Sequence, residues 1–283
     1  MGKNKYLLGL YEKSMPNNLS LKEKLMICNE TGFDYVELSI DETDEKLARL
    51  DWDKETIDSV IKDVQEVGVR FNSICLSGHR KYPLGSLDEK TRARALEIME
   101  KAVDLASELG IRIIQIAGYD VYYEESNDKT KELFLENLKK CVLMASRKGI
   151  VLGFETMETE FMDSTEKAMK YVGLVDSPYL GVYPDLGNCT NAAVKYGYDV
   201  LDDLKTGKGH VVAMHLKEML PGKYREVPFG TGNTDFQSGI KVMKDFGVGM
   251  YVGEFWYVGQ ENWLDDIKFA NKFLREHLDK VYN

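Results

Sequence analysis

The chain lacks paired cysteines, a nucleotide-type glycine fingerprint, low-complexity tracts and long hydrophobic runs. Its four cysteines, Cys28, Cys75, Cys141 and Cys189, stand singly with no CxxC. That argues against structural disulfides and zinc knuckles and predicts a reducing, cytoplasmic setting. Three fall in apolar contexts and read as small core residues; Cys189 reads as a loop residue. Prolines number only six, so long disordered linkers are not expected. No stretch approaches the roughly 18 apolar residues of a membrane span. The opening MGKNKYLLGLYEKS has an apolar run of about six residues, short of the roughly 7–15 of a secretion signal. Basic side chains are outnumbered, 37 Lys and Arg against 47 Asp and Glu, for a net charge of −10. A phosphate polymer or an anionic membrane would be repelled at long range, so neither nucleic acid nor membrane is the expected partner. A small phosphorylated molecule remains compatible, because it needs only a local cluster of donors.

What is present is a rhythm. With 283 residues, 43% of them hydrophobic, the chain has apolar material for one large α/β domain. Eight short runs rich in β-branched and aromatic residues recur, at 6–11, 35–40, 70–76, 111–118, 149–156, 179–184, 210–217 and 249–256. Helical patterns separate them. Leu21, Leu25 and Cys28 share one face, and Ala95, Ile98, Met99, Ala102, Leu105, Ala106 and Leu109 share another. Such helices stop at Gly32, Gly110, Gly149 and Gly247 and feed the next strand. Eight units of roughly 31–35 residues predict an α/β fold, a single (β/α)8 TIM barrel over residues 1–283. A doubly wound sheet would need GxGxxG after the first strand, and LGLYEKSMPNN carries none.

In such a barrel the C-terminal strand ends build the active site. The fifth predicted strand ends on Glu155, the sixth on Asp185, the seventh on His215 and the eighth on Glu254. Intervals of 30, 30 and 39 residues are each close to one βα unit and aim all four at one axial spot. Three carboxylates in a partly buried mouth repel one another and lose hydration. One divalent cation removes that conflict. Three oxygen donors with one imidazole suit Mn²⁺, Mg²⁺, Co²⁺ or Zn²⁺, and no thiolate tilts the choice to zinc. Each residue alone reads as an ordinary helix cap; the repetition over four successive strand ends points to a metal centre.

Other candidates are less determined. His79, in CLSGHRKYPLG after the third strand, reads equally as a substrate contact and a loop hydrogen bond. Glu37 ends the second strand and is placed to meet substrate or to anchor His79 or a lysine; Gln115 should face the barrel interior. His210 opens the seventh strand and falls at the opposite, stability face. His277 sits on a charged terminal helix and reads as solvated. Anion donors are offered by Lys13 and Ser14, by His79, Arg80 and Lys81, by Lys217, and by residues 227–233, whose glycines let backbone N–H groups approach an anion.

The blocks LGLYEK, GFDYVELSIDETDEKLARLDW, CLSGHRKYPLGS, IQIAGYDVYYEE, YPDLGN, HLKE and VPFGTGNTDF carry a resemblance along essentially the whole chain. The chain resembles the L-ribulose-5-phosphate 3-epimerase (L-xylulose-5-phosphate 3-epimerase) family, within the xylose isomerase-like barrels. The resemblance implies interconversion of those two pentulose phosphates, in a pentose or L-ascorbate breakdown route. It also implies that Glu155, Asp185, His215 and Glu254 hold the metal. The expected partner is a small-molecule sugar phosphate, with room for a homodimer. Many members of the superfamily carry histidine three residues after the strand-six aspartate. Here that position is Asn188, which can meet a substrate hydroxyl instead.

Inverting the carbinol carbon beside a ketone removes its proton and returns one to the opposite face, through an enediolate. A cation at the site spreads that charge, and two carboxylates serve as base and acid. Glu155 and Glu254 are the expected pair, with Asp185 and His215 mainly ligands. The expected substrate contacts are His79, Lys217, Asn188, Arg80, Lys13 and Glu37. Three rivals are distinguishable. An epimerase or isomerase of unphosphorylated ketoses would turn over L-ribulose as well as its phosphate. A metal-dependent apurinic endonuclease is disfavoured by four histidines and a charge of −10. A sugar-phosphate binding protein would fail to exchange the C3 hydrogen.

Overall fold

The computed structural model describes residues 5–283, and their backbone alternates strand and helix throughout. The elements run β1 (Leu7–Tyr11), α1 (Leu21–Glu30), β2 (Tyr35–Ile40), α2 (Asp44–Leu47), α3 (Lys54–Val67), β3 (Arg70–Leu76), α4 (Glu89–Glu108), β4 (Ile113–Ala117) and α5 (Asp128–Arg147). They continue with β5 (Val151–Glu155), α6 (Thr165–Val175), β6 (Leu180–Tyr183), α7 (Leu186–Tyr196), α8 (Val200–Lys205), β7 (Met214–Leu216), α9 (Phe236–Asp245), β8 (Met250–Gly253) and α10 (Trp263–Tyr282). Helix starts are set by local caps, as where Ser20 and Glu23 form a reciprocal capping box on α1. The glycines expected to stop helices, Gly32, Gly110, Gly149 and Gly247, adopt the left-handed backbone with φ between 66° and 82°.

All ladders are parallel, in the order β6-β5-β4-β3-β2-β1-β8-β7. The remaining seam, β6 against β7, is held by isolated bridges pairing Val182 with Val211 and Asp185 with His215. Three backbone bonds complete it. Val182 N–H donates to the His210 carbonyl at 2.8 Å, Val212 N–H to Val182 at 2.9 Å, and His215 N–H to Pro184 at 2.9 Å. Gly181 permits this approach, since a Cβ there would stand 2.4 Å from the His210 oxygen. The seam completes the (β/α)8 barrel and explains why the seventh strand is shorter than its apolar run. It also sets Asp185 and His215 abreast.

Period-2 alternation decides what the barrel encloses. In β2, Val36, Leu38 and Ile40 pack in the main core with the helix layer, while Tyr35 belongs to a separate cluster with Tyr11, Cys75, Tyr183, Ala213 and Val252. Glu37 shares the Tyr35 side and is fully buried. The barrel interior is therefore polar as well as aromatic. Cys189, expected in a loop, lies buried inside α7. His277 is a correction too: its ring is half-buried, with centroids 4.8 Å from Phe273 and 5.7 Å from Phe236. Among the described residues, no helix is long and apolar enough to cross a membrane.

Candidate active site and metal centre

Glu155 closes β5, Asp185 follows β6, His215 lies within β7 and Glu254 follows β8. One donor atom from each lies within 4.8 Å of the others, and all four side chains are buried. His215 Nδ1 stands 3.1 Å from Glu155 Oε1 and 3.4 Å from Glu254 Oε2. Lys217 reaches in from the end of β7, its ammonium 3.0 Å from Asp185 Oδ2 and 3.4 Å from Glu254 Oε2. Asp185 both caps a helix and faces the cluster. Its Oδ1 accepts the Asn188 N–H at 2.6 Å and caps α7, leaving Oδ2 for the cluster.

A supporting layer fixes these groups. His215 Nε2 lies 2.7 Å from Glu37 Oε1 as its donor, so that Nδ1, facing the cluster, is the nitrogen that would give its lone pair to a cation once it sheds its proton. Glu37 is pinned in turn by Ser73 Oγ at 2.6 Å and the Tyr183 hydroxyl at 3.0 Å. Gln115, inward-facing as expected, donates its amide to Glu155 Oε2.

The charges do not balance. Glu37, Glu155, Asp185 and Glu254 share a dry space with two cationic groups, Lys217 and His215. Burial pushes the Asp185 carboxyl well above its usual range. Burial and the neighbouring charge of Glu254 raise Glu155. Glu254 goes the other way: burial resists its ionisation, but Lys217 and His215 outweigh that and hold it well below. Burial likewise opposes the charged form of His215, yet Glu37, Glu254 and Glu155 carry it well above an ordinary imidazole. Asp185 Oδ2 and Glu254 Oε2 find no aligned hydrogen bond although both face Lys217. Two orphaned carboxylate oxygens, a third from Glu155 and an imidazole nitrogen fit a divalent cation, whose charge would offset the surplus.

The remaining candidates separate. Lys13, Arg80, Asn188 and Lys217 line a cleft of ≈ 40 Å³ over the cluster. Asn188 donates to the Thr156 carbonyl at 2.7 Å, and its own Oδ1 is buried without a partner. Two expectations need correcting. Glu37 has no exposed surface for substrate, since its oxygens are taken by His215, Ser73 and Tyr183. His79 is buried with Nε2 3.0 Å from the Ala95 carbonyl of α4, which realises its loop hydrogen bond and keeps it off the cleft wall. The 227–233 loop does cradle an anion, but a resident one. Glu218 accepts the N–H groups of Gly230 and Thr234, each at 3.0 Å. Ser14 Oγ is turned to the Phe255 carbonyl at 3.0 Å, and the exposed Lys81 pairs with Asp44 at 3.5 Å.

Several cleft residues were not singled out by sequence: Tyr11, Glu158, Arg225 and Trp256. Trp256 and Glu158 follow the strand-end acids Glu254 and Glu155 by two and three residues, a signal that was available. Arg225, in an aperiodic loop, offered none. Past Lys217, Glu254 and Trp256 the cleft adjoins an apolar cavity of ≈ 270 Å³ walled by Phe229, Phe255 and Phe269.

Residues 25–277 match the family model described as xylose isomerase-like TIM barrel. The L-ribulose-5-phosphate 3-epimerases UlaE of Salmonella paratyphi A and Escherichia coli O157:H7 are each 42% identical over 275 residues, covering 97% of this chain and 95% of theirs. Among solved structures, that of L-ribulose 3-epimerase superposes with a TM-score of 0.76 at 18% identity, covering 97% of this chain and 95% of that one. The IOLI protein with a binding zinc atom does so with a TM-score of 0.79 at 17% identity, covering 97% and 99%. The strand-end constellation and this end-to-end similarity agree: the chain is an isomerase-class enzyme that belongs to the xylose isomerase-like TIM barrels and, within them, to the L-ribulose-5-phosphate 3-epimerase family.

Proposed function

We propose that the chain interconverts L-ribulose 5-phosphate and L-xylulose 5-phosphate, with residues 1–283 acting as one catalytic domain. The observation that carries this reading is the convergence of Glu155, Asp185, His215 and Glu254 within 4.8 Å at the strand ends. The substrate follows from the relatives, whose names specify the 5-phosphate.

Glu155 and Glu254 enter from β5 and β8, with β6 and β7 between them, and so approach a bound sugar from different sides. One takes the C3 proton and the other returns one to the opposite face, the roles exchanging with direction. Asp185 and His215 complete the metal site, and Glu37 orients the imidazole. One Zn²⁺, Mn²⁺, Mg²⁺ or Co²⁺ held there would supply positive charge for the oxyanion that develops as the proton leaves. Lys217 holds Asp185 and Glu254 in place, and the free Oδ1 of Asn188 accepts a sugar hydroxyl.

The test is deuterium uptake from D₂O into L-ribulose 5-phosphate, followed by NMR. Glu155→Gln and Glu254→Gln should each abolish exchange while circular dichroism shows an intact fold. Full exchange in either variant removes that glutamate from the proton-transfer role. A chelator should silence the wild type and added metal restore it; an enzyme indifferent to chelation would refute the metal centre.

A further inference from the structure

We propose that Gln115 is a positioning residue for Glu155, and that its amide holds that glutamate in one place both before and after it takes up the substrate's proton. This rests on the proposed reaction, in which Glu155 gains and loses the C3 proton, and it says what keeps the carboxyl aimed throughout.

Strand register makes the contact. Gln115 lies on β4 opposite Gly153 of β5, and Ala117 lies opposite Glu155. Residues two apart on a strand share a face, so Gly153 and Glu155 line the barrel interior on the same side as Gln115. A Cβ at 153 would stand 2.8 Å from Val212 and 3.1 Å from Tyr183, which reserves the position for glycine. No side chain from 153 therefore comes between the amide and Glu155. On its other flank Gln115 pairs with Cys75 of β3, whose thiol is turned to the Tyr11 hydroxyl at 3.7 Å. Gln115 itself has no exposed surface.

Two details of the amide carry the inference. Its Nε2 donates to Glu155 Oε2, which leaves Glu155 Oε1, 3.1 Å from His215 Nδ1, as the oxygen turned to the cluster. The amide's own Oε1 is buried without a partner. Gln115 is thus engaged at one end and free at the other. The last torsion of a glutamine is broad and roughly two-fold, so a half-turn puts the oxygen where the nitrogen stands. An amide nitrogen donates to a carboxylate, and an amide oxygen accepts from a carboxylic acid. Either setting makes one bond to Glu155 and leaves the other end of the amide unpaired. The amide therefore favours neither, and the proton on Glu155 decides between them.

Glu254 is held differently. Its Oε2 faces the Lys217 ammonium and the His215 ring, each at 3.4 Å. A cation attracts a carboxylate and gives a neutral acid little in return. Charge steadies Glu254 in its ionised form, whereas a hydrogen bond steadies Glu155 in both forms. The reaction needs such a hold, because a glutamate that takes the C3 proton in one direction delivers it in the other. A reacting group displaced by about 1 Å loses about 100-fold in rate.

The experiment is steady-state epimerisation of L-ribulose 5-phosphate, with Mn²⁺ affinity read by calorimetry and assays run below the melting temperature of every variant. Gln115→Met keeps length and burial without a hydrogen bond; Gln115→Asn keeps an amide one bond short of Glu155. Each should lower kcat by about 10- to 100-fold, leave KM near the wild-type value, and stay slow when Mn²⁺ is saturating. The acid limb of the kcat profile should not move in Gln115→Met, because both forms of Glu155 lose one bond. A limb shifted to higher pH would mean that the amide serves the carboxylate alone, and would overturn the two-way hold. Wild-type kcat in both variants, or kcat restored by excess metal, would overturn the positioning role. A wild type that exchanges no C3 hydrogen refutes the reaction and the hold together, whereas one that exchanges no faster than both variants refutes the hold alone.

Discussion

The informative perturbation of the proposed metal centre is at Glu37, whose oxygens are buried away from the cleft. Glu37 lies on β2, 178 residues from His215 in sequence, and meets its Nε2 at 2.7 Å inside the barrel. Glu37→Gln preserves volume and removes one buried negative charge. Two consequences oppose each other in size. Stability should change little, because Ser73 and Tyr183 can keep hydrogen bonds to an amide; Glu37→Ala instead would orphan three buried donors at about 1–3 kcal/mol each. Metal affinity should fall, because the imidazole exchanges a carboxylate partner for a neutral amide oxygen and loses the negative charge that raises its basicity. Supporting carboxylates of this kind are worth about 10–100-fold in affinity, or about 1.4–2.7 kcal/mol. Titration of metal-free Glu37→Gln with Mn²⁺ or Zn²⁺, against the wild type, reads this directly. Activity should return at saturating metal. An unchanged affinity with an unchanged melt would refute the view that Glu37 acts through His215.

The same structure makes two further claims about stability. Glu12 is buried among Lys24, Lys46 and Arg49, with contacts of 2.8, 2.7 and 2.6 Å, and ties β1 to α1 and to the helices after β2. Glu12→Gln should destabilise by about 3–5 kcal/mol, read from the urea midpoint, because three buried cations lose their anion. Burial resists ionisation of Glu12, but the three cations hold its folded-state carboxyl far below the ordinary 4.5. Its contribution is therefore complete above pH 4.5 and is lost as pH falls below it; Glu12→Gln should flatten that acid limb. A Cβ on Gly232 would stand 2.2 Å from the Met219 oxygen and 2.6 Å from Glu218 Oε1. Gly232→Ala should thus break the Glu218 cradle and lower stability by about 1–3 kcal/mol, and a wild-type melting temperature would contradict it.

Local pattern was enough for the scaffold and for the strand-end cluster. Apolar runs of six to eight residues carry strands of three to seven wherever they can be buried, and glycine ends helices that separate them. Because barrel strands all end on one face, Glu155, Asp185, His215 and Glu254 could be placed together without knowing a single contact. Asp185 shows how well this works: its Oδ1 caps the following helix, and its side chain lies in the cluster of four that could hold a metal ion. The relation between strands was not readable. Glu37 looked like a substrate contact because its strand position is right, and only barrel closure reveals that His215 takes its oxygen. Residues 227–233 looked like an anion site and are one, but which anion fills it depended on where Glu218 folds. Arg225 meets Glu158 through two loops with no periodicity to read. Sequence by itself determined the barrel and the residues at its mouth, since both follow from burial along a short segment. Tertiary structure alone decided which charge answers which, because ion pairing depends on distance in space and not on separation along the chain.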